Sequence, residues 1–363
     1  MRRRTLAILG FVVLLVLAVA IVVVLRRNAP PESARLLPEA DAVLYINVEI
    51  LRHGGVFARM KASPEPEYQD FIRQTGFQFE RDLDEAAFAV HASPPGQSTS
   101  APRNPPTDYP RFSEVFIGKF DTGRAAAYFT KLAHQTEQYR DATIFNVPHE
   151  GRTVRVALLG PGIVAVSNTE TPDAIHAIID RYRRVALPFS GPSLLGDYYK
   201  RVPFGSLVWM IARIAPAAAG GAAADGSQGG LTSPALLRDI AGGTTVVASL
   251  RFIGVLQLRV EALATTAERA HGIAENVSAF LAVFRGAESS LQVSGNDPDV
   301  KAALRSIKME QDNSSAVLKA DVPVGLLKKL ASDAATEMSD IPAAQPAPQP
   351  APAPPSKPSR RKK

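Results

Sequence analysis

Residues 6–25 read LAILGFVVLLVLAVAIVVVL, twenty apolar residues without a break. As a helix such a run is about 30 Å long, the thickness of one hydrocarbon core. Arginines bracket it (Arg2, Arg3 and Arg4 before, Arg26 and Arg27 after), the arrangement expected of residues held at two interfaces. The sequence therefore predicts a membrane-spanning helix from Leu6 to Leu25. The rival reading is a cleaved signal peptide, for which Ala18-Val19-Ala20 offers a small-residue site. Against it, the apolar run continues past that site and ends in two arginines, longer than the ordinary signal core. A short basic head ahead of a long C-terminal domain resembles a signal anchor. The expected placement is the inner (cytoplasmic) membrane, single-pass, with the body periplasmic.

The remaining composition has to be mapped before it means anything. The chain has 363 residues, a formal net charge of +6 and no cysteine. Without cysteine there are no disulfides, thiol nucleophiles or thiolate metal sites. Residues 1–27 carry five bases and no acid, and residues 341–363 another five (Lys357, Arg360, Arg361, Lys362 and Lys363) and no acid. Those ten bases leave 31 against 35 acids in the middle, a net of −4. A body of that charge has no general attraction for phosphate backbones, so no nucleic acid is expected for it.

Along the chain the pattern alternates strands and helices. Residues 1–27 form the basic head and membrane segment, and 28–36 a polar spacer. A first α+β half covers 37–214, with a proline-rich flexible loop at 93–110, and a second covers 231–335. An Ala/Gly-rich loop (215–230) separates them, and a Pro/Ala-rich tail with a basic tip (336–363) ends the chain. Strands are expected near 42–48, 86–92, 114–120, 141–147, 152–159, 162–167, 206–213, 244–252, 255–262, 290–294 and 314–321. Helices are expected near 49–61, 67–75, 265–285 and 323–332, from an Asp121 or Thr122 cap through His134, from Pro172 on, and after an Asp297-Pro298 cap. Ala126, Phe129, Leu132 and Ala133 fall on one helical face, as do Ile175, Ile178, Ile179 and Tyr182. The fold class expected is α+β: a single N-terminal transmembrane helix, then two halves of mainly antiparallel sheet with helices packed on one face. Val166-Ser167-Asn168 before Thr171-Pro172-Asp173 resembles Val293-Ser294-Gly295-Asn296 before Asp297-Pro298-Asp299, a short match open between duplication and coincidence.

Two stretches resemble an uncharacterised family of bacterial membrane-anchored envelope proteins, a domain of unknown function. Leu37-Pro38-Glu39-Ala40-Asp41-Ala42 is similar to its Leu-Pro-x-Asp-Ala opening strand. Gly76 to Asp84 is similar to its Gly-hydrophobic-Asp-x-x-x-Asp-hydrophobic-Asp segment, with Phe79 where aspartate is commoner. The resemblance spans residues 36–185. It implies fold and placement and carries no catalytic residues.

Catalytic and cofactor motifs are absent from the sequence. Gly160-Pro161-Gly162 lacks the glycine and lysine of a phosphate loop, and Gly191-Pro192-Ser193 is not a nucleophile elbow. His53, His91, His134, His149, His176 and His271 show no metal-binding spacing. Glu80, Asp82, Asp84 and Glu85 lack the glycine and twelfth-position glutamate of a calcium loop and read as a capped turn. No catalytic, metal or cofactor-binding residue is assigned. The expected function is a non-catalytic binding or scaffold body on a membrane anchor. Its partners are the lipid bilayer and, through Lys357, Arg360, Arg361, Lys362 and Lys363, other envelope proteins or an anionic polymer. Two alternatives stay open: a membrane-tethered hydrolase with a dispersed active site, and a cytoplasm-facing protein whose tail binds anionic lipid or nucleic acid.

Overall fold

The structure, a computed structural model, describes residues 29–55, 66–91, 111–149, 151–184, 191–216, 241–290 and 298–326. The first half contributes strands β1 (Ala42–Asn47), β2 (Leu83–His91), β3 (Arg111–Gly118), β4 (Gln135–Tyr139), β5 (Ala142–His149), β6 (Arg152–Gly160) and β7 (Ile163–Ser167). Its helices are α1 (Glu32–Leu36), α2 (Val48–His53), α3 (Pro66–Thr75), α4 (Phe79–Asp82), α5 (Thr122–Leu132), α6 (Asp173–Arg183) and α7 (Ser193–Tyr198), followed by a 3₁₀ turn (Tyr199–Arg201). The second half contributes β8 (Ser206–Arg213), β9 (Thr245–Phe252), β10 (Leu256–Leu263), α8 (Ala267–Ser290), α9 (Pro298–Ser306), β11 (Lys308–Asp312) and β12 (Ser315–Val322).

All twelve described strands form one antiparallel sheet, ordered β11-β12-β10-β9-β8-β1-β2-β3-β7-β6-β5-β4. This corrects the expected architecture. The two halves do not have separate sheets, because β1 and β8 pair directly along Ala42–Ile46. Nor do the helices lie on one face. Neighbouring residues of β5, Ile144 and Phe145, are both buried, but in different clusters: Ile144 with Ile175, Ile178 and Ile179 of α6, Phe145 with Phe129 of α5. Successive side chains point to opposite faces, so the sheet is covered on both. Among the described residues no helix is long and apolar enough to cross a membrane, so the transmembrane helix is no part of the described fold. Leu6 to Leu25 lie outside the described residues, as do 92–110 and Lys357, Arg360, Arg361, Lys362 and Lys363.

From the centre outward, each half repeats one order. A central strand (β1 or β8) is followed by two antiparallel neighbours (β2-β3 or β9-β10) and then a helix (α5 or α8), as a twofold axis between β1 and β8 would place them. The two segments with similar sequences are not equivalent in this scheme. One closes β7, the last strand of the first half, while 293–297 follows α8 outside the described residues. The strand expected at 290–294 begins inside α8, which runs to Ser290.

Local chemistry accounts for most boundaries. Asn47 caps α2 by accepting from Ile50 N (2.9 Å), and Asp121 caps α5 by accepting from Arg124 N (3.0 Å). The cap of α6 is Pro172 rather than Thr171, whose hydroxyl instead donates to Asp173 Oδ2 (2.8 Å). Ile175, Ile178 and Ile179 are buried as the periodicity predicts, whereas Leu132 at the end of α5 is exposed. Residues 32–36, read as spacer, form α1 and enter the core, with Ser33 and Ala34 fully buried.

The joint between the halves rests on aromatic burial. Tyr45 and Trp209 face each other across β1 and β8, stacked at 5.4 Å between ring centres, and both are almost fully buried. Replacing Trp209 by alanine is expected to cost about 3–5 kcal/mol, the usual range for a large aromatic removed from a core. Urea unfolding followed by far-ultraviolet circular dichroism measures it; a loss under about 1 kcal/mol would contradict a joint dependent on this residue.

Candidate functional site

Above this joint lies a cavity of about 1040 Å³. Its floor is Tyr45, Glu85 and Trp209, on the three neighbouring strands β1, β2 and β8. One wall is Ala29, Pro30 and Pro31, leading into α1, and the other is α7, the 3₁₀ turn and the loop through Ser206. Both walls are tied down. Glu39 accepts from Ser193 N at the start of α7 (2.8 Å) and from Arg181 of α6 (2.9 Å). Arg201, ending the 3₁₀ turn, reaches across to the second half and meets Glu261 of β10 at 3.2 Å. Glu261 is 1% exposed and is held on its other oxygen by Arg259 at 3.0 Å. A buried carboxylate flanked by two guanidiniums resists loss of either partner, since that leaves charge uncompensated.

The lining mixes aromatic and polar groups. Tyr199 meets Trp209 edge-on at 5.4 Å. Ser33 Oγ donates to Glu85 Oε2 (2.9 Å), and the Tyr45 hydroxyl sits beside the same carboxyl. Burial raises the Glu85 carboxyl above the ordinary range, partly offset by these hydrogen bonds, which favour its charged form. Burial also raises the Tyr199 hydroxyl, with Glu85 adding to the shift. Lys200 and Phe204 stand on the wall. A floor carboxyl beside aromatic rings, with Asp197, Lys200 and apolar groups on the wall, fits an amphipathic ligand that offers a hydrogen-bond donor or positive charge to Glu85.

The acidic residues singled out in the sequence separate. Glu80 accepts from Tyr68 (2.7 Å), Asp82 accepts from Gln78 N (2.9 Å) and pairs with Arg81, and Asp84 pairs with Arg52 (2.8 Å). Glu85 alone lines the cavity. No group of three or more potential metal ligands occurs among the described residues. His91 Nε2 lies 3.0 Å from Ser113 Oγ, a pair relevant to the hydrolase alternative. Ser113 is fully buried, however, and lines neither this cavity nor the small one among Phe71, Phe77 and Phe116. Its hydroxyl is closed off from solvent. The cavity itself could not be read from spacing, because residues 29–31, 45, 85 and 191–209 meet only once β1, β2 and β8 pair and the helices pack on them. The single tryptophan was its one local signal.

The fold and cavity define a two-halved antiparallel sheet protein with a lined cleft at its centre. No protein-family model matches the chain, and no curated protein matches it. Three crystal structures of TP0453 align with it: form III (TM-score 0.45, 9% identity), form I (0.45, 10%) and form IV (0.42, 8%). Each alignment covers 84% of this chain and 97–99% of TP0453. Likeness at this level transfers no activity.

Glu114 in β3 is a half-buried carboxyl set between Phe88 of β2 and Val166 of β7, without a hydrogen bond or ion pair among the described residues. Burial pushes it up from 4.5 to about 7. A raised folded value means stability fully present below pH 4.5 and lost as pH rises through about 7. Relative to Glu114→Gln, the native chain should therefore lose about 2–3 kcal/mol between pH 4.5 and pH 8. Urea midpoints of the two proteins across that range test this, and parallel curves would refute it.

Proposed function

We propose that the chain is a cell-envelope binding protein, held at the inner membrane with its body outside the cytoplasm, that keeps an amphipathic ligand in the central cavity without transforming it. The observation carrying this reading is the cavity wall at Ala29–Pro31, which begins four residues after Leu25. The apolar run of residues 6–25 supports the membrane location through its length and flanking arginines. The resemblance of residues 36–185 to anchored envelope domains supports the same placement. The cavity supports binding, since its carboxyl and rings are arranged for recognition and border no nucleophile–base pair among the described residues. Through Lys357, Arg360, Arg361, Lys362 and Lys363 the tail adds a contact for an anionic envelope polymer.

Because the chain has no cysteine, one introduced thiol reports location. Ser314→Cys lies in the exposed β11–β12 turn. In intact cells with the outer membrane opened, a membrane-impermeant maleimide should label it. The labelled chain should stay with membranes through alkaline carbonate. Protection until lysis would reverse the topology, and release by carbonate would remove the membrane placement.

A further inference from the structure

The two ends of the central strands are chemically different. At one end β1, β9 and β12 finish while β8 and β10 begin, so their connecting residues share one rim. The β9–β10 turn there is Phe252-Ile253-Gly254-Val255, with Phe252 57% and Ile253 55% exposed. The turn before β8 is Pro203-Phe204-Gly205, with Phe204 72% exposed. Ile50 of α2 and Val324, just after β12, are also exposed on this rim. These residues sit on five neighbouring strands in the order β12-β10-β9-β8-β1, a row about 19 Å wide at the normal strand spacing.

Turns ordinarily carry Gly, Asn, Asp and Ser, and the backbone here asks for nothing more. Gly205 and Gly254 take the positive φ angles, +77° and +87°, leaving the neighbouring positions free to be polar. At the opposite end the β11–β12 turn is the ordinary Asp312-Asn313-Ser314, polar and exposed. Among the described residues large apolar side chains held in water cluster at this end, while Val90 of β2 is the one on the central strands exposed at the other, and such a cluster marks a contact surface.

We infer that this rim rests on the surface of a lipid bilayer, with Phe204, Phe252 and Ile253 entering the headgroup–acyl boundary. The inference builds on the membrane placement proposed above. Its occupant is chosen by chain length. Ala29 borders the same cavity as Phe204, and the four residues from Leu25 to Ala29 span at most about 14 Å. Wherever the 6–25 run enters a bilayer, the cavity wall at Ala29 is therefore held within about 14 Å of that surface, with the apolar rim on the same side of the cavity as Phe204. Interfacial side chains of this kind sink about 5–10 Å into the boundary. The cavity mouth, sharing Phe204 with the rim, then opens beside the lipid.

The test uses the full chain with one cysteine at Phe204→Cys, Ile253→Cys or, as control, Ser314→Cys, each carrying an environment-sensitive fluorophore. Ser314 lies at the far end of β12, about 25 Å from Val322 along the strand. The proteins are reconstituted into phosphatidylcholine–phosphatidylglycerol vesicles with or without nitroxide-labelled lipid, and circular dichroism confirms that each variant is folded. Positions 204 and 253 should lose roughly half their emission to a nitroxide near the headgroups while 314 loses none. If the chain resists carbonate extraction but 204 and 253 behave like 314, the rim does not touch lipid and the inference fails alone. Release by carbonate would overturn the membrane placement and this inference with it.

Discussion

The structure depends on the pairing of β1 with β8. Five residue pairs, from Ala42–Ala212 to Ile46–Val208, hold the first half to the second, with Tyr45 and Trp209 stacked among them. Stacking of this kind adds about 0.5–1.5 kcal/mol beyond the area buried. Val43 and Ile211, two pairs further on and so on the same face, are completely buried beside them. The same two aromatic rings form the floor of the cavity. Joint and cavity floor are therefore one interaction, and the floor cannot be loosened without weakening the sheet.

A second tie runs around that joint. Arg201, on the cavity wall contributed by the first half, reaches the buried Glu261 of the second. The 3₁₀ turn is thus tied to a charge in another part of the chain, and Tyr199 within it meets Trp209 edge-on at 5.4 Å. On the proposed reading, a ligand would meet a preformed cleft at little cost in ordering.

Much of the fold was legible in the sequence, for physical reasons that also explain the failures. β1, β5–β10 and β12 are rich in branched and aromatic residues, and the isoleucine stripe of α6 follows helical spacing. β4 (QTEQY) and β11 (KMEQD) carry no such signal. They lie at the two edges of the sheet with mostly exposed side chains, where polar residues guard against edge pairing. α1 was hidden by the prolines and charges of NAPPESARL, although Leu36 and Leu37 anchor it in the core. The single continuous sheet was not legible because the β1–β8 pairing joins residues more than 160 positions apart. Glu85 sat within a recognisable acidic cluster, but only the fold separates it from Asp82 and Asp84.

The central claim is that the cavity holds a ligand, and Gly196 offers the most direct test. It lines the cavity, and a Cβ added there meets nothing within 4 Å, so Gly196→Phe puts a ring on the cavity wall without disturbing the sheet. The measurement is mass spectrometry of small molecules extracted from the full chain purified in mild detergent, native and Gly196→Phe side by side, with circular dichroism as a check on folding. The account predicts a compound retained at near one per chain by the native protein and lost from the variant. Equal retention by both, or none by either, would contradict it.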